Sequence, residues 1–346
     1  MKILKYLIAA GFFAATSALV TAPAAAQSHD CGSVTLADMN WSSATFIANL
    51  DRFVLEHAYG CDAELIPGDT VPTGTSMIEK GKPDIASELW TNSFRDALDA
   101  GVKEGRLVIA GKSLSDGGQE AFWVPRYLVE KHPELATIQG VIKNAGLFRN
   151  PEDPTQSVLM GCPSGWACQI SVENMAKAMN LGDAGFIVRD PGSSAGLSGS
   201  LTRAYEREKP WLGYYWAPTA LLGKYEMVPV DLGPYNDPVH QCNRNPECNK
   251  VGKSSYPSAR VVTGVTTDFA SREPEVIEML SKLSFTNQQM GAVLAWKEDN
   301  NASSEEAAVH FLTTYKDSWG SWLNGDAKSK LAGLLKYRRE TKSLQA

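Results

Sequence analysis

The chain has 346 residues and is 43% hydrophobic and 21% charged, with 39 acidic residues against 33 lysines and arginines and a formal net charge of −6. That acidic balance gives no electrostatic footing for nucleic acid and points mainly to a soluble surface. Beyond the first 26 residues nothing approaches 18 consecutive apolar residues, which excludes a membrane-spanning helix there.

The N-terminus reads as a targeting segment. Lys2 and Lys5 form a short positive region, Leu7 to Val20 an apolar stretch, and Ala24-Ala25-Ala26 a small-residue cleavage signal. The pattern predicts a secretory signal peptide over 1–26, cut after Ala26, and a periplasmic location. An uncleaved anchor is the alternative. Cys31 follows His29 and Asp30, so no lipid anchor is expected. Losing two lysines takes the charge from −6 to −8. About 320 residues remain, a length that suits two domains.

All six cysteines follow the cleavage site. Cys162 and Cys168, and likewise Cys242 and Cys248, have five residues between them. An even count in an exported chain predicts disulfides. Two local pairs then leave Cys31 to bond with Cys61. The spacing does not match a C-x-x-C zinc pattern.

Taken in order, the mature chain opens with a strand, Gly32 to Ala37. A helix follows from Ala44 to Ala58, with Phe46, Ile47, Leu50, Phe53 and Val54 on its apolar face. Then come a strand Cys61 to Pro67, a helix Thr73 to Lys80 and a strand Asp84 to Leu89. The rhythm restarts after Gly118, with strands expected at Ala121 to Pro125, Val158 to Met160, Gly185 to Arg189, Trp211 to Trp216, Glu226 to Leu232 and Arg260 to Thr266. Helices are expected at Gln169 to Met179 and Gly196 to Glu208. The C-terminus reads as helical: Glu273 to Leu283, Asn287 to Lys297, Ser304 to Tyr315 and Ser318 to Leu334. Such alternation implies a mixed, largely parallel sheet covered by helices. No flexible linker separates the two α/β units, so extended strands should cross between lobes near Gln119–Pro125 and Ala217–Glu226. The expected division is lobe I at 27–120 and 225–346 and lobe II at 121–224. A ligand would then sit between the lobes, at the carboxyl ends of strands.

The aromatic residues carry the functional signal. Trp41 follows the first strand and Trp90 ends the third. Trp166 lies in the cysteine-bracketed loop Gly161 to Cys168, and Trp216 precedes Ala217-Pro218. Each indole face carries negative potential. A methylated ammonium group is a bulky, weakly hydrated cation, and ring faces attract it by about 0.5–2 kcal/mol per contact. Buried packing is the competing explanation for any single tryptophan. Trp123 and Tyr215 are second-tier candidates, Tyr215 because it alternates with Trp216 along one strand. Trp211, Trp296, Trp319 and Trp322 read as packing residues.

Trp41, Glu88-Leu89-Trp90, the Gly161 to Cys168 loop and Tyr215-Trp216-Ala217-Pro218 together resemble the glycine betaine/choline/trimethylamine N-oxide class of ABC-importer binding proteins. The resemblance covers essentially the whole mature chain. Its single motifs are short, while their order and spacing are specific. It implies a two-lobed α/β periplasmic binding fold, type II-like, that closes over its ligand. It also implies an aromatic cage of Trp41, Trp90, Trp166 and Trp216, a membrane-embedded importer subunit as partner, and a monomer without cofactor or metal.

Glu120 stands at the first crossing, where a carboxylate would either face the cleft or sit solvated at a hinge. Facing the cleft, it would disfavour a ligand carboxylate and favour trimethylamine N-oxide, whose oxygen can hydrogen-bond to it. Asn40 beside Trp41 argues against choline. Trimethylamine N-oxide is therefore the favoured ligand, with glycine betaine close behind; choline, carnitine or another solute remain alternatives. A secreted hydrolase is the enzymatic alternative, yet the chain has no G-x-S-x-G, H-E-x-x-H or nucleotide-binding glycine motif. No arginine stands at a strand end to fork an amino-acid carboxylate. The polar segment Pro234 to Tyr256 reads as a disulfide-closed loop, with a calcium site at Asp237 as the alternative.

Overall fold

The computed structural model describes residues 31–345, the side chains of Ser93 and 338–345 excepted. The expected signal peptide, with its cut after Ala26, lies outside the described residues. Three strands open the fold: β1 (Ser33–Met39), β2 (Asp62–Gly68) and β3 (Ile85–Trp90). β1 lies between the other two and pairs with both in parallel. The helices Ser42–Val54 and Thr70–Lys80 make the crossovers. The first presents Phe46, Ile47, Leu50, Phe53 and Val54 to the core, as its periodicity predicts. It runs on through a wide turn, Leu55–Tyr59, and stops at Gly60, whose φ of 73° suits glycine. Cys61 follows and is disulfide-bonded to Cys31.

The remaining strands are β4 (Leu107–Pro125), β5 (Ser157–Met160), β6 (Phe186–Arg189), β7 (Gly213–Ala217), β8 (Met227–Pro229) and β9 (Ser258–Thr266). Among the described residues they form one sheet in the order β2-β1-β3-β9-β4-β7-β5-β6, with β8 beside β4. β4 belongs to both halves of the molecule. Its first part pairs with β9 and its last part with β7 and β8, all antiparallel. Gln119 is the changeover, paired with Ser258 on one side and Ala217 on the other. Register shifts interrupt the β4–β9 ladder three times before that point, and Gly117 takes a φ of 74°. Such irregularities bend a strand sharply.

β8 pairs with Trp123–Pro125, and the helix Asp237–Asn243 packs on the helix Cys168–Ala178. The helix Asp237–Asn243 lies inside the segment read as a loop, and Cys242–Cys248 closes its end.

The C-terminal helices return to the first lobe. Thr286 and Ser303 open two of them with full capping boxes, each satisfying first-turn amides. Phe46, Phe285, Phe311 and Trp322 form an aromatic cluster with ring centroids 5.2–6.0 Å apart. Trp296 stacks on His310 at 3.8 Å, and Trp211 donates to Ser200 Oγ. These tryptophans pack, as their positions suggest.

A buried carboxyl sits in this lobe. Asp51 is fully buried, and Oδ2 accepts from Ser87 Oγ at 2.5 Å. Burial pushes its pKa up to about 7 against the pull of that bond. The folded protein therefore holds a proton that the unfolded chain has released. Stability should fall as pH rises from about 4 to about 7, because ionising Asp51 inside the fold is costly. Asp51→Asn is expected to flatten that slope and to be the more stable form above neutrality. Urea midpoints across pH test this, and parallel curves for the two proteins would refute it.

Candidate functional site

Four indoles meet where the lobes face each other. Trp41 follows β1, Trp90 ends β3, Trp166 lies in the loop after β5, and Trp216 lies on β7. All four line one cavity with Glu120, Tyr214 and Thr70. About 40 Å³ is open there to the centres of water-sized groups. Trp41 and Trp166 come from opposite lobes, with centroids 5.7 Å apart and planes at 70°. Trp166 and Trp216 lie at 5.1 Å and 76°. The perpendicular planes turn aromatic walls on several sides of a small space. Every one of these rings is buried, so the lobes are closed.

Two of the rings are set from within the first lobe. Glu88 Oε1 accepts hydrogen bonds from Trp41 Nε1 at 2.7 Å, Trp90 Nε1 at 2.9 Å and Ser43 Oγ at 3.0 Å. An indole can only donate, so a buried acceptor dictates which way each ring stands. β3 is buried along its whole length. A strand covered on both faces is normally apolar, and the glutamate in its middle is explained by these bonds. Burial pushes the Glu88 carboxyl above its ordinary value, and the three donors pull it back only in part. Trp90 also leans on Gly118, where an added Cβ would stand 2.2 Å from two of its ring carbons.

The other two rings come from the second lobe. The disulfide Cys162–Cys168 closes the loop that carries Trp166. Trp166 Nε1 reaches across the cleft and donates to Asn40 Oδ1 at 2.7 Å. Asp69 lies beside this pair, its carboxyl raised by burial and lowered in part by hydrogen bonds from Asn40 and Trp166. Trp216 stacks against Tyr215 at 4.8 Å on its other side.

Glu120 is buried and faces the cavity from β4, directly opposite Trp216 in the β4–β7 ladder. Tyr214 donates its hydroxyl to Glu120 Oε1 at 2.7 Å. Burial raises the Glu120 carboxyl, opposed by bonds from Tyr214 and Asn92 and by the charge of Arg244. A carboxyl held high in this way is neutral over a wider range and then both donates and accepts.

Sequence reasoning brought Trp41, Trp90, Trp166, Trp216 and Glu120 forward, and all five share this cavity. It passed over Tyr214, although strand alternation puts Tyr214 on the same face as Trp216. It also passed over Thr70, for which the sequence carries no signal. Tyr215 is not among the residues that line the cavity and shares a hydrogen bond with Ser198, while Trp123 donates to the Tyr215 carbonyl within the crossing strands. Asp237, weighed as a calcium ligand, instead accepts from Arg95, Tyr235 and Gln241. Among the described residues no group of three or more His, Cys, Asp or Glu side chains is placed to hold a metal ion.

Residues 32–314 match the family model described as the substrate binding domain of ABC-type glycine betaine transport systems. The chain belongs to that family. Its members are substrate-binding proteins of ABC transporters and not enzymes; they bind small ligands and deliver them to the transporter's membrane components. The chain is 23% identical over 286 residues to a trimethylamine N-oxide-binding protein of Pelagibacter ubique (strain HTCC1062), a match covering 81% of this chain and 87% of that one. The glycine betaine/L-proline-binding protein ProX of Borrelia burgdorferi has the same fold, with a TM-score of 0.68 at 17% identity, over 86% of this chain and 99% of that one. Lactococcal OpuAC, in its closed form with glycine betaine, gives 0.62 at 21% identity, over 85% and 100%. This substrate-binding protein thus has the two-lobed periplasmic binding fold.

The contact of Trp90 with Gly118 makes the cage sensitive to one methyl group. Gly118→Ala should displace Trp90, change the near-ultraviolet circular dichroism of the indoles and cost about 1–3 kcal/mol of stability. An unchanged spectrum would show that Trp90 does not depend on Gly118.

Proposed function

We propose that this protein binds a small methylated-ammonium compound, trimethylamine N-oxide in the first place, within the cage of Trp41, Trp90, Trp166 and Trp216. The observation that carries the reading is the cavity lining: four indoles and one acid, with no lysine or arginine among the residues. Indole faces suit a trimethylammonium group, which has no strong N–H donor to offer. The N-oxide oxygen needs a donor instead, and a neutral Glu120, steadied by Tyr214, supplies one. A ligand carboxylate would find no cationic side chain in this lining. The Pelagibacter relative's name supports the same ligand. The protein would act as a periplasmic monomer, exported by residues 1–26, and pass its ligand to an importer's membrane subunit.

Glycine betaine is the second reading, and one feature favours it. Ala167 and Cys168 line the cavity where the helix Cys168–Ala178 begins. Amides in the first turn of a helix attract carboxylates.

Calorimetric titration of the mature protein, prepared without osmolytes, against trimethylamine N-oxide, glycine betaine, choline and carnitine tests the class. Micromolar or tighter binding of trimethylamine N-oxide is expected, and no binding across the panel would end the cage model. Trp90→Ala and Trp216→Ala should each cost about 1–3 kcal/mol of binding, from a lost ring face and lost packing. Unchanged affinity in both would make these rings packing residues.

The role given to Glu120 has a signed pH dependence. If its proton donates to the N-oxide, affinity is highest at low pH and falls as pH rises through its elevated pKa. Glu120→Ala should lower affinity about 10- to 100-fold below that point, as expected for losing a charge-assisted hydrogen bond. A flat pH profile for the unaltered protein would remove this role.

A further inference from the structure

We infer that Asn40, with Asp69 beside it, forms a polar catch on the first lobe that receives the Trp166 indole N–H from the second lobe, and that this catch sets how long the cleft stays shut. The inference rests on reading the cage as the binding site, and it assigns Asn40 and Asp69 as positioning residues.

The four indoles are not held alike. Trp41 and Trp90 donate to Glu88, which belongs to their own lobe, so their orientation survives opening. Trp166 donates to Asn40, which lies 126 positions away in the chain and on the other lobe. That bond exists only when the lobes are together. Opening the cleft breaks it and exposes the indole N–H to water.

Asp69 adds an independent observation. It is the N-cap residue of the helix Thr70–Lys80, with the extended backbone usual there (φ −139°, ψ 161°). An aspartate in that place ordinarily accepts from the first-turn amides. This one makes no such bond. Its carboxyl turns to the cleft instead and lies beside the Trp166–Asn40 pair. The facing loop is shaped to approach it. Gly165 has a φ of 91°, and a Cβ there would stand 3.2 Å from Asp69 Oδ2. The neighbouring disulfide Cys162–Cys168 limits the freedom of that loop.

Another polar link between distant segments is weaker in kind. Arg95 and Asp237 pair at 2.9 Å, with side chains 36% and 48% exposed. Exposed ion pairs contribute little. In the Trp166–Asn40 bond the donor is buried, and a buried indole N–H that loses its acceptor is felt more strongly.

The test is a double-mutant cycle with Asn40→Ala and Trp166→Phe, read by stopped-flow release and association of trimethylamine N-oxide. Asn40→Ala should speed release about tenfold, with association changed by less than about twofold. In the Trp166→Phe background it should have little further effect, because the donor is already gone. Equal losses in both backgrounds, or no loss in either, would overturn the catch. Energy transfer between dyes on the two lobes gives a second reading without ligand: Asn40→Ala should lower the closed fraction, and an unchanged fraction counts against the catch. If the unaltered protein binds nothing in the panel, the proposed function fails, while the ligand-free measurement still decides the catch.

Discussion

The candidate site depends on one buried carboxyl group. Glu88 sits in the middle of a strand that never meets water, and a single oxygen takes hydrogen bonds from Trp41, Trp90 and Ser43. Burying an acid without partners is among the costlier things a fold can do. Here the cost is offset by three donors, two of which belong to rings that offer no other polar handle. The result is a pair of aromatic walls whose planes are set before any ligand arrives. Such pre-organisation spares a binding protein the entropy of ordering its own side chains.

Around that anchor the sheet divides the work. β4 runs through both halves of the molecule, and the register shifts in its ladder with β9 lie just before the changeover at Gln119. The first lobe supplies two indoles tied to Glu88. The second supplies Trp166, on a loop closed by Cys162–Cys168, and Trp216, near the end of β7. Glu120 stands at the seam, close to where the pairing of β4 changes hands. Its neighbour Tyr214 comes from β7, so the pair joins the crossing strand to the second lobe. Closure thus assembles walls from both lobes around a polar point near the hinge. This is the geometry expected when domain closure shuts water out of a ligand site.

Much of this was legible in the sequence because the signals are local. Hydrophobic periodicity located the helix that carries Phe46, Ile47 and Leu50. Even cysteine spacing marked the two small loops, and strand-end tryptophans marked the cavity. Tyr214 was within reach as well, since alternation aligns it with Trp216. It was passed over because a lone tyrosine in an aromatic strand carries no chemical flag. The helix Asp237–Asn243 was read as loop, for its polar face and short length hide it.

The sequence by itself marked most of the elements, the cysteines that bond and the tryptophans that share one cavity. Each of those is written in spacing, in period or in the choice of a rare residue. Only the tertiary structure decided which way each indole stands, for that depends on an acceptor far away in the chain: Glu88 for Trp41, and Asn40 for Trp166. It also decided that Asp69 leaves its helix cap to face the other lobe. Hydrogen bonds between distant residues leave no periodic trace, because their geometry exists only once the chain has folded.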